Sequence, residues 1–148
     1  MQEIIVVEVA GERIGVPISR VRHVLGPQRV YPVPLADQYV AGVLNLRGRI
    51  VTAIDLAKRL GVRREQPADS NSSLVVEWND ESYALLVDRI HDIVQVSEPV
   101  VNRDELTAML PAWRELVKEL YRTQDGILVE FDIERLLAPG RNQQRDAR

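Results

Sequence analysis

Residues 40–61 read VAGVLNLRGRIVTAIDLAKRLG, and this stretch decides the fold. Two apolar runs flank Arg47-Gly48, a dipeptide suited to a tight turn because glycine tolerates backbone angles that other residues avoid. The second run ends at Asp55, which precedes a short helical pattern and is typical of a helix N-cap. The stretch contains no nucleophile motif, metal-ligand cluster or phosphate-binding loop. It therefore predicts a hairpin followed by a short helix, and it favours a recognition surface over a reaction centre.

The same plan occurs twice along the chain. Residues 6–25 align with residues 75–94 at an offset of 69, with five identities. Residues 49–60 align with residues 126–137 at an offset of 77, which pairs Asp55 with Asp132. Two matches in the same order are harder to ascribe to chance than one. We therefore predict one domain over residues 1–140, with subdomains at about 4–64 and about 72–138 and a polar tail at 141–148.

Each half is predicted to begin with a hairpin, because apolar residues alternate with polar ones at the period of a half-buried strand. The turns are expected at Ala10-Gly11 and at Asn79-Asp80. Gly61 is expected to end the first helix and Pro139-Gly140 the last. The polar residues 62–73 between the halves indicate a linker or surface loop.

The second half carries extra residues before its last hairpin. Asn102 is a candidate cap for a helix that reaches about Leu110, and Pro111 is expected to interrupt it. A strand is expected from about Lys118, and a helix that continues as far as Leu120 remains the alternative.

Composition excludes several classes of protein. A formal charge of -3 argues against a general nucleic-acid binder, although a local basic patch remains possible. The absence of cysteine excludes disulfides, thiolate catalysis and cysteine-ligated metals. The N-terminal residues lack the pattern of a signal peptide, and no apolar run approaches the roughly 20 residues of a membrane span. We therefore expect a cytoplasmic protein without membrane insertion.

An enzyme would have to recruit His23, His91, Asp55 or Asp132. Both aspartates lie at predicted helix caps, and the two histidines show neither metal-ligand spacing nor the arrangement of a triad. We therefore expect no catalytic residue, no metal and no cofactor. Two alternatives remain: a small β-barrel that binds nucleic acid through its LRGRI turn and RVRH segment, and a small hydrolase.

The stretch YVAGVLNLRGRIVTAIDLAKRLG, preceded by PVPL and followed by VVEWNDESYALLVDRIHDIV, resembles the CheW family of chemotaxis coupling proteins. The similarity runs from about Ile4 to Leu137, and GVLNLRG is its most specific element. The resemblance implies a mainly β fold of two intertwined five-stranded SH3-like barrels with short helices. It also implies an adaptor without catalytic activity, which joins the regulatory domain of a CheA-type histidine kinase to the cytoplasmic tips of chemoreceptors.

The resemblance further implies two sets of contact residues. Kinase contacts are expected at Val21, Gly42, Val43, Asn45, Arg47 and Gly48, and receptor contacts near His23, Ile90 and Ile93. For Arg47, a solvated turn residue or an ion pair with Asp55 are the structural alternatives.

The chain departs from the family pattern at three positions that bear on partner choice. Thr52 stands where proline is common, His23 where glutamate is frequent, and Glu119 where glycine is usual. These departures leave the expected fold intact.

Overall fold

The computed structural model describes residues 2–63, 67–100, 104, 109 and 111–138. Ten strands form most of the described part: β1 (Gln2–Val9), β2 (Glu12–Pro17), β3 (Val21–Leu25), β4 (Val40–Leu46), β5 (Arg49–Asp55), β6 (Ser72–Trp78), β7 (Glu81–Val87), β8 (Arg89–Val96), β9 (Val117–Thr123) and β10 (Gly126–Phe131). The helices are short: α1 (Leu56–Arg59), α2 (Pro111–Arg114) and α3 (133–138), with 3₁₀ turns at Ile18–Arg20 and Ala68–Ser70. The chain is therefore mainly β, as predicted.

The strands form two five-stranded sheets of the same topology. One has the order β8-β1-β2-β10-β9 and the other β3-β6-β7-β5-β4. Replacing each strand by its counterpart in the sequence repeat converts one order into the other. The parallel pairs, β2 with β10 and β5 with β7, correspond in the same way. The repeat found in the sequence is thus a repeat of the fold.

Each sheet is closed by the segment that follows its outer strand. After β3, Tyr31 bridges to Val43 on β4, and after β8, Pro99 bridges to Tyr121 on β9. We call the sheet β8-β1-β2-β10-β9 barrel A and the sheet β3-β6-β7-β5-β4 barrel B. The two five-stranded barrels confirm the expected fold class.

The residue boundaries of the two barrels differ from those of the two sequence repeats. Barrel B takes its strands from a continuous segment, residues 21–87, whereas the strands of barrel A lie in residues 2–17 and 89–131. The subdomains predicted at 4–64 and 72–138 follow the repeat, and each of those halves supplies strands to both barrels. The expected intertwining is this exchange of strands.

The chain crosses between the barrels at two short connections, the 3₁₀ turn after β2 and the single residue Asp88 between β7 and β8. The Asp88 carboxylate accepts a hydrogen bond of 2.7 Å from the backbone N–H of Ala10 and one of 3.1 Å from the Asn71 side chain. This second crossing is therefore anchored to barrel A and to the start of β6.

Three apolar clusters fill the molecule, and the largest lies between the barrels. This shared core takes residues from both sheets and from α1, α2 and α3: Ile5, Val7, Val9, Ile14, Val16, Ile54, Leu56, Ala57, Leu60, Leu74, Val76, Tyr83, Leu85, Val87, Val100, Trp113, Leu116, Leu120, Val129, Phe131, Ile133, Leu136 and Leu137. Smaller clusters fill barrel A around Ile4 and Leu128 and barrel B around Leu44 and Ala84. Because burial of apolar surface is the main stabilising term, the barrels depend on each other for stability.

Both predicted helix caps are confirmed. The carboxylate of Asp55 accepts a hydrogen bond of 3.0 Å from the backbone N–H of Lys58, and that of Asp132 accepts one of 3.2 Å from Arg135. Gly61, at φ 71°, ends α1 as predicted. Its N–H donates to Lys58 O at 3.1 Å, while the N–H of Val62 donates to Ala57 O at 2.9 Å, which is the Schellman pattern.

The predicted turns at Ala10-Gly11 and Asn79-Asp80 are confirmed, since both dipeptides join paired strands with positive φ. Residues 62–73 include the 3₁₀ turn Ala68–Ser70, and β6 begins at Ser72.

Pro111 begins α2, and its predicted interruption of a preceding helix falls on residues outside the described ranges. Proline suits the first position of a helix because the N–H that it lacks would have no intrahelical partner there. The strand expected from about Lys118 is confirmed as β9, so the alternative of a helix reaching Leu120 is wrong. The predicted helix between Asn102 and Leu110 lies almost wholly outside the described residues, as do Pro139-Gly140 and the tail.

Candidate functional site

The β4–β5 hairpin ends in the turn that the sequence predicted. Leu46 pairs with Arg49, and the two residues between them have positive φ, 53° at Arg47 and 86° at Gly48. The Asn45 side-chain oxygen accepts a hydrogen bond of 2.7 Å from the Gly48 N–H. This is a two-residue type I′ turn, and Asn45 stabilises it from within the hairpin.

Arg47 occupies a backbone conformation that is costly for its residue type. A non-glycine residue in the left-handed region loses roughly 1–2 kcal/mol relative to glycine or asparagine, which normally hold such turns. Its side chain is exposed and forms no ion pair with any described residue, and Asp55 caps α1 instead. Arg47 thus combines a strained backbone with an exposed cationic side chain.

One face of the hairpin runs from the shared core out into solvent. Val43 lies opposite Thr52, and Asn45 lies opposite Ile50, so these four side chains share the face that begins with buried Ile54. Ile50 is 68% exposed. Sequence analysis missed Ile50, because alternation alone does not show where a strand leaves its core. We call Val43, Asn45, Ile50 and Thr52, together with Arg47, the hairpin face.

Gly42 lies beneath this face and is buried. A Cβ at this position would come within 2.2 Å of the carbonyl oxygen of Tyr31. Two hydrogen bonds of 2.8 Å join the backbones of Tyr31 and Val43 across the same place. The glycine therefore permits the close approach that closes barrel B, and it presents no surface of its own.

A groove of about 520 Å³ opens beside the turn, and it brings His23 to Arg47. These residues were assigned from the sequence to different partners. The groove is lined by charges of both signs: Arg22, Arg47 and Arg49, and Glu77, Asp80 and Glu81. The Arg22 guanidinium lies 3.7 Å from the carboxylate of Glu77, so part of this charge is neutralised within the chain.

A second apolar surface lies on β3 and β8, the outer strands next to β6 and β1. Val21 pairs with Val76, and its repeat counterpart Ile90 pairs with Val7; both are half-buried against the shared core. Three residues further along each strand, Val24 is 53% exposed and its counterpart Ile93 is 49% exposed. We call Val21, Val24, Ile90 and Ile93 the seam stripe. Val21 and Ile90 thus pack against the same core, and neither lines the groove beside Arg47.

The equivalent of the hairpin face in barrel A is covered. Ile127 and Val129, which correspond to Ile50 and Thr52, pack against the shared core together with Trp113 and Met109. The Trp113 ring also meets Phe131 edge to face, with centroids 5.4 Å apart. The extra residues of the second half supply this cover, so the open face in barrel B is the distinctive feature of the first half.

The residues considered for catalysis do not converge. Asp55 and Asp132 cap helices, and His91 Nε2 lies 3.1 Å from a carboxylate oxygen of Glu8 at the protein surface. No group of three or more histidine, cysteine, aspartate or glutamate side chains that could hold a metal ion occurs among the residues that the structure describes. Over the same residues, no helix combines the length and apolar character needed to cross a membrane.

Comparison with known proteins identifies the family of this fold. The family model described as "CheW-like domain" matches residues 3–139. The chain belongs to the CheW-like family. The match confirms the resemblance found in the sequence, and it extends over both barrels.

The relatives carry names from chemotaxis. The chain is 27% identical over 135 residues to Chemotaxis protein CheW of Thermotoga maritima, covering 91% of this chain and 87% of that protein. It is 34% identical over 97 residues to Chemotaxis protein CheW of Rhizobium meliloti, covering 66% of this chain and 63% of the relative. The crystal structure of the scaffolding protein TtCheW from Thermoanaerobacter tengcongensis superposes with a TM-score of 0.75 at 24% identity, over 92% of both chains, and shows the shared fold.

Proposed function

We propose that this protein is a non-catalytic coupling adaptor in a chemosensory system, which links a CheA-type histidine kinase to the cytoplasmic tips of chemoreceptors. The observation that carries the proposal is the presence of two separate exposed surfaces, the hairpin face and the seam stripe, on one rigid CheW-like fold. An adaptor needs two binding surfaces held at a fixed relative geometry. The shared core provides that geometry, because neither barrel can shift without disturbing it.

The regulatory domain of the kinase is proposed to bind at the hairpin face. Ile50 offers an exposed apolar centre, and Arg47 offers a planar guanidinium for charged or stacked contacts at the rim. Val43 and Asn45 belong to the same face, and Gly48 and Gly42 hold its backbone in place. The sequence-based kinase set is therefore retained, except that Val21 is reassigned to the seam stripe.

The receptor tip is proposed to bind at the seam stripe. A helical partner docks its apolar side into an apolar surface flanked by polar groups. Ile90 and Ile93 supply such a stripe on β8, and Val21 and Val24 supply its counterpart on β3. His23 lies two residues after Val21 and lines the groove beside Arg47. In this proposal the protein acts in the cytoplasm, is recruited to receptor arrays, and requires no cofactor.

Binding and kinase-activation assays with the cognate kinase regulatory domain and receptor fragments test the proposal. Arg47→Ala is expected to weaken kinase binding and to leave receptor binding intact. Arg122→Ala is the matched control, because Arg122 is an exposed arginine near the corresponding turn of barrel A. If the wild-type protein binds neither partner at tens of micromolar, the adaptor function is wrong.

The two surfaces are separated by a second pair of variants. Ile93→Asp should impair receptor capture while kinase binding persists, and Ile50→Asp should do the reverse. Both side chains are largely exposed, so neither change buries a charge in the folded protein. Equal loss of both partners in either variant would contradict the assignment of one surface to each partner.

A further inference from the structure

The interior of barrel A contains a carboxyl group. Glu130 is 1% exposed and lies on β10, on the side that carries Leu128 of the barrel A interior cluster. In the sheet it pairs with Gly15 on β2 and with Glu119 on β9. Among the residues that the structure describes, neither carboxylate oxygen has a hydrogen-bond partner of regular geometry. A carboxyl group in this position is costly to ionise, because its charged form loses solvation by water.

The equivalent position in barrel B carries an apolar residue. The repeat counterpart of Glu130 is Ala53, which pairs with Ala84, and both are completely buried. In barrel A the partner is Gly15, where a Cβ would lie 2.6 Å from Ile4 Cγ2. The Glu130 side chain thus lies beside Gly15, which has no side chain. One barrel has a purely apolar interior at this level, whereas the other has an acid.

Within the described part of the chain, the ionisable groups that face Glu130 come from β9. Lys118 Nζ lies 3.9 Å from a Glu130 oxygen, but the lysine side chain is 60% exposed and remains largely solvated. Burial raises the pKa of Glu130, and the charge of nearby Glu119 raises it further, while Lys118 and the Tyr121 hydroxyl oppose the change. Burial has the largest effect of these.

The other neighbouring strands add no charge at this place. β1 contributes the side-chain amide of Gln2, which favours the carboxylate, and β2 contributes Gly15. β8 contributes Val94 and Val96 to the same interior. The surroundings therefore leave the ionised form of Glu130 incompletely compensated.

We propose that barrel A is a proton-linked element: Glu130 holds a proton in the folded protein, and loss of that proton loosens the β9–β10 edge. The folded protein binds this proton more tightly than the unfolded chain, in which a glutamate has its ordinary pKa of about 4.3. The neutral form of Glu130 contributes its full stabilisation at pH values below the pKa of the unfolded chain. This contribution is lost as the pH rises from that pKa through the raised pKa of the folded state, and stability falls no further at higher pH.

Thermal unfolding of the wild type and of Glu130→Gln across about pH 4 to 8 tests the proposal, because glutamine cannot ionise. The melting temperature of the variant should rise relative to the wild type as pH increases, and the difference should then level off. Glu12→Gln is the matched control, since Glu12 is an exposed carboxylate on β2 of the same barrel. Its melting curve should follow that of the wild type at each pH. A constant difference between wild type and Glu130→Gln would overturn the proposal.

Amide hydrogen exchange of the wild-type protein gives a readout that needs no variant. Protection at Tyr121 and Leu128 should fall by up to about tenfold per pH unit within the window in which Glu130 ionises, after correction for the intrinsic exchange rate. Protection at Leu44 and Val51 in barrel B should change less. Lys118→Met should move this window to higher pH, because it removes the cation that favours the carboxylate. Equal changes in both barrels, or an unmoved window, would contradict a proton-linked barrel A.

Discussion

The indole Nε1–H of Trp113 donates a hydrogen bond of 2.8 Å to the carbonyl oxygen of Leu60. Leu60 is the C-cap of α1, in the first half of the chain, and Trp113 lies on α2 in the second half. The contact therefore satisfies a carbonyl at a helix end and at the same time packs the extra residues of the second half onto the shared core.

Replacing Trp113 with phenylalanine should destabilise the protein by about 1–3 kcal/mol, because the Leu60 carbonyl would be left buried without its donor. Chemical denaturation measures the loss as a change in the free energy of unfolding. A loss well below about 1 kcal/mol would show that this hydrogen bond contributes little to stability.

Arg47→Gly should make the protein more stable and a poorer partner for the kinase. Relief of the left-handed strain gains roughly 1–2 kcal/mol, and the greater freedom of glycine in the unfolded chain returns roughly 0.5–1 kcal/mol of it. Ala10→Gly is the control, because the Ala10-Gly11 turn has nearly the same backbone angles as the Arg47-Gly48 turn, with φ 51° at Ala10 and 81° at Gly11. It should raise stability by a similar amount and leave kinase binding unchanged. Stable, fully binding Arg47→Gly protein would remove Arg47 from the proposed site.

Gly42→Ala should cost more than 2 kcal/mol of stability, since the new methyl group meets backbone atoms that cannot move aside without opening barrel B. The loss should appear as a lower denaturation midpoint and as faster amide exchange at Tyr31 and Val43. Gly26→Ala is the control, because a Cβ there meets nothing within 4 Å. A neutral Gly42→Ala variant would mean that the closing segment is not held in the observed position.

Tyr121 should resist ionisation in alkali. Burial, together with the nearby Glu130, raises the pKa of Tyr121 to about 12. The stability that depends on its neutral form is therefore complete below pH of about 10, the ordinary tyrosine value, and is lost between there and about 12. Ultraviolet titration of phenolate absorbance should show one tyrosine fewer titrating near pH 12 in Tyr121→Phe. Loss of one tyrosine from the part of the curve near pH of about 10 would instead place Tyr121 among the ordinary tyrosines.

Local features of this fold follow from local sequence. The cap at Asp55, the stop at Gly61 and the turn at Arg47-Gly48 each depend on the chemistry of one or two residues, and all three are present. The repeat was also visible, because both halves keep the same order of hairpin, strand and capped helix. Pro111 begins α2 because the same missing N–H that breaks a helix interior suits a helix start.

The strand exchange could not be deduced from pattern. Val129 pairs with Ile14 across more than a hundred residues, and period-two alternation shows that a strand has a buried face without showing which strand covers it. For the same reason the exposure of Ile50 and the burial of Glu130 went unnoticed. Each lies in an ordinary strand pattern, and its surroundings are set by distant parts of the chain.

The crossing at Asp88 has a mechanical consequence. One residue separates the last strand of barrel B from β8, so a pull on β8 passes directly into β7 along the peptide backbone. Through β7 it reaches β5, and from there the hairpin that carries Arg47. If the seam stripe and the hairpin face each hold a partner, as proposed, a displacement at one surface reaches the other along covalent bonds and sheet hydrogen bonds. Under that proposal, the stiffness of β7 and β5 sets how much of the movement of one partner is passed to the other.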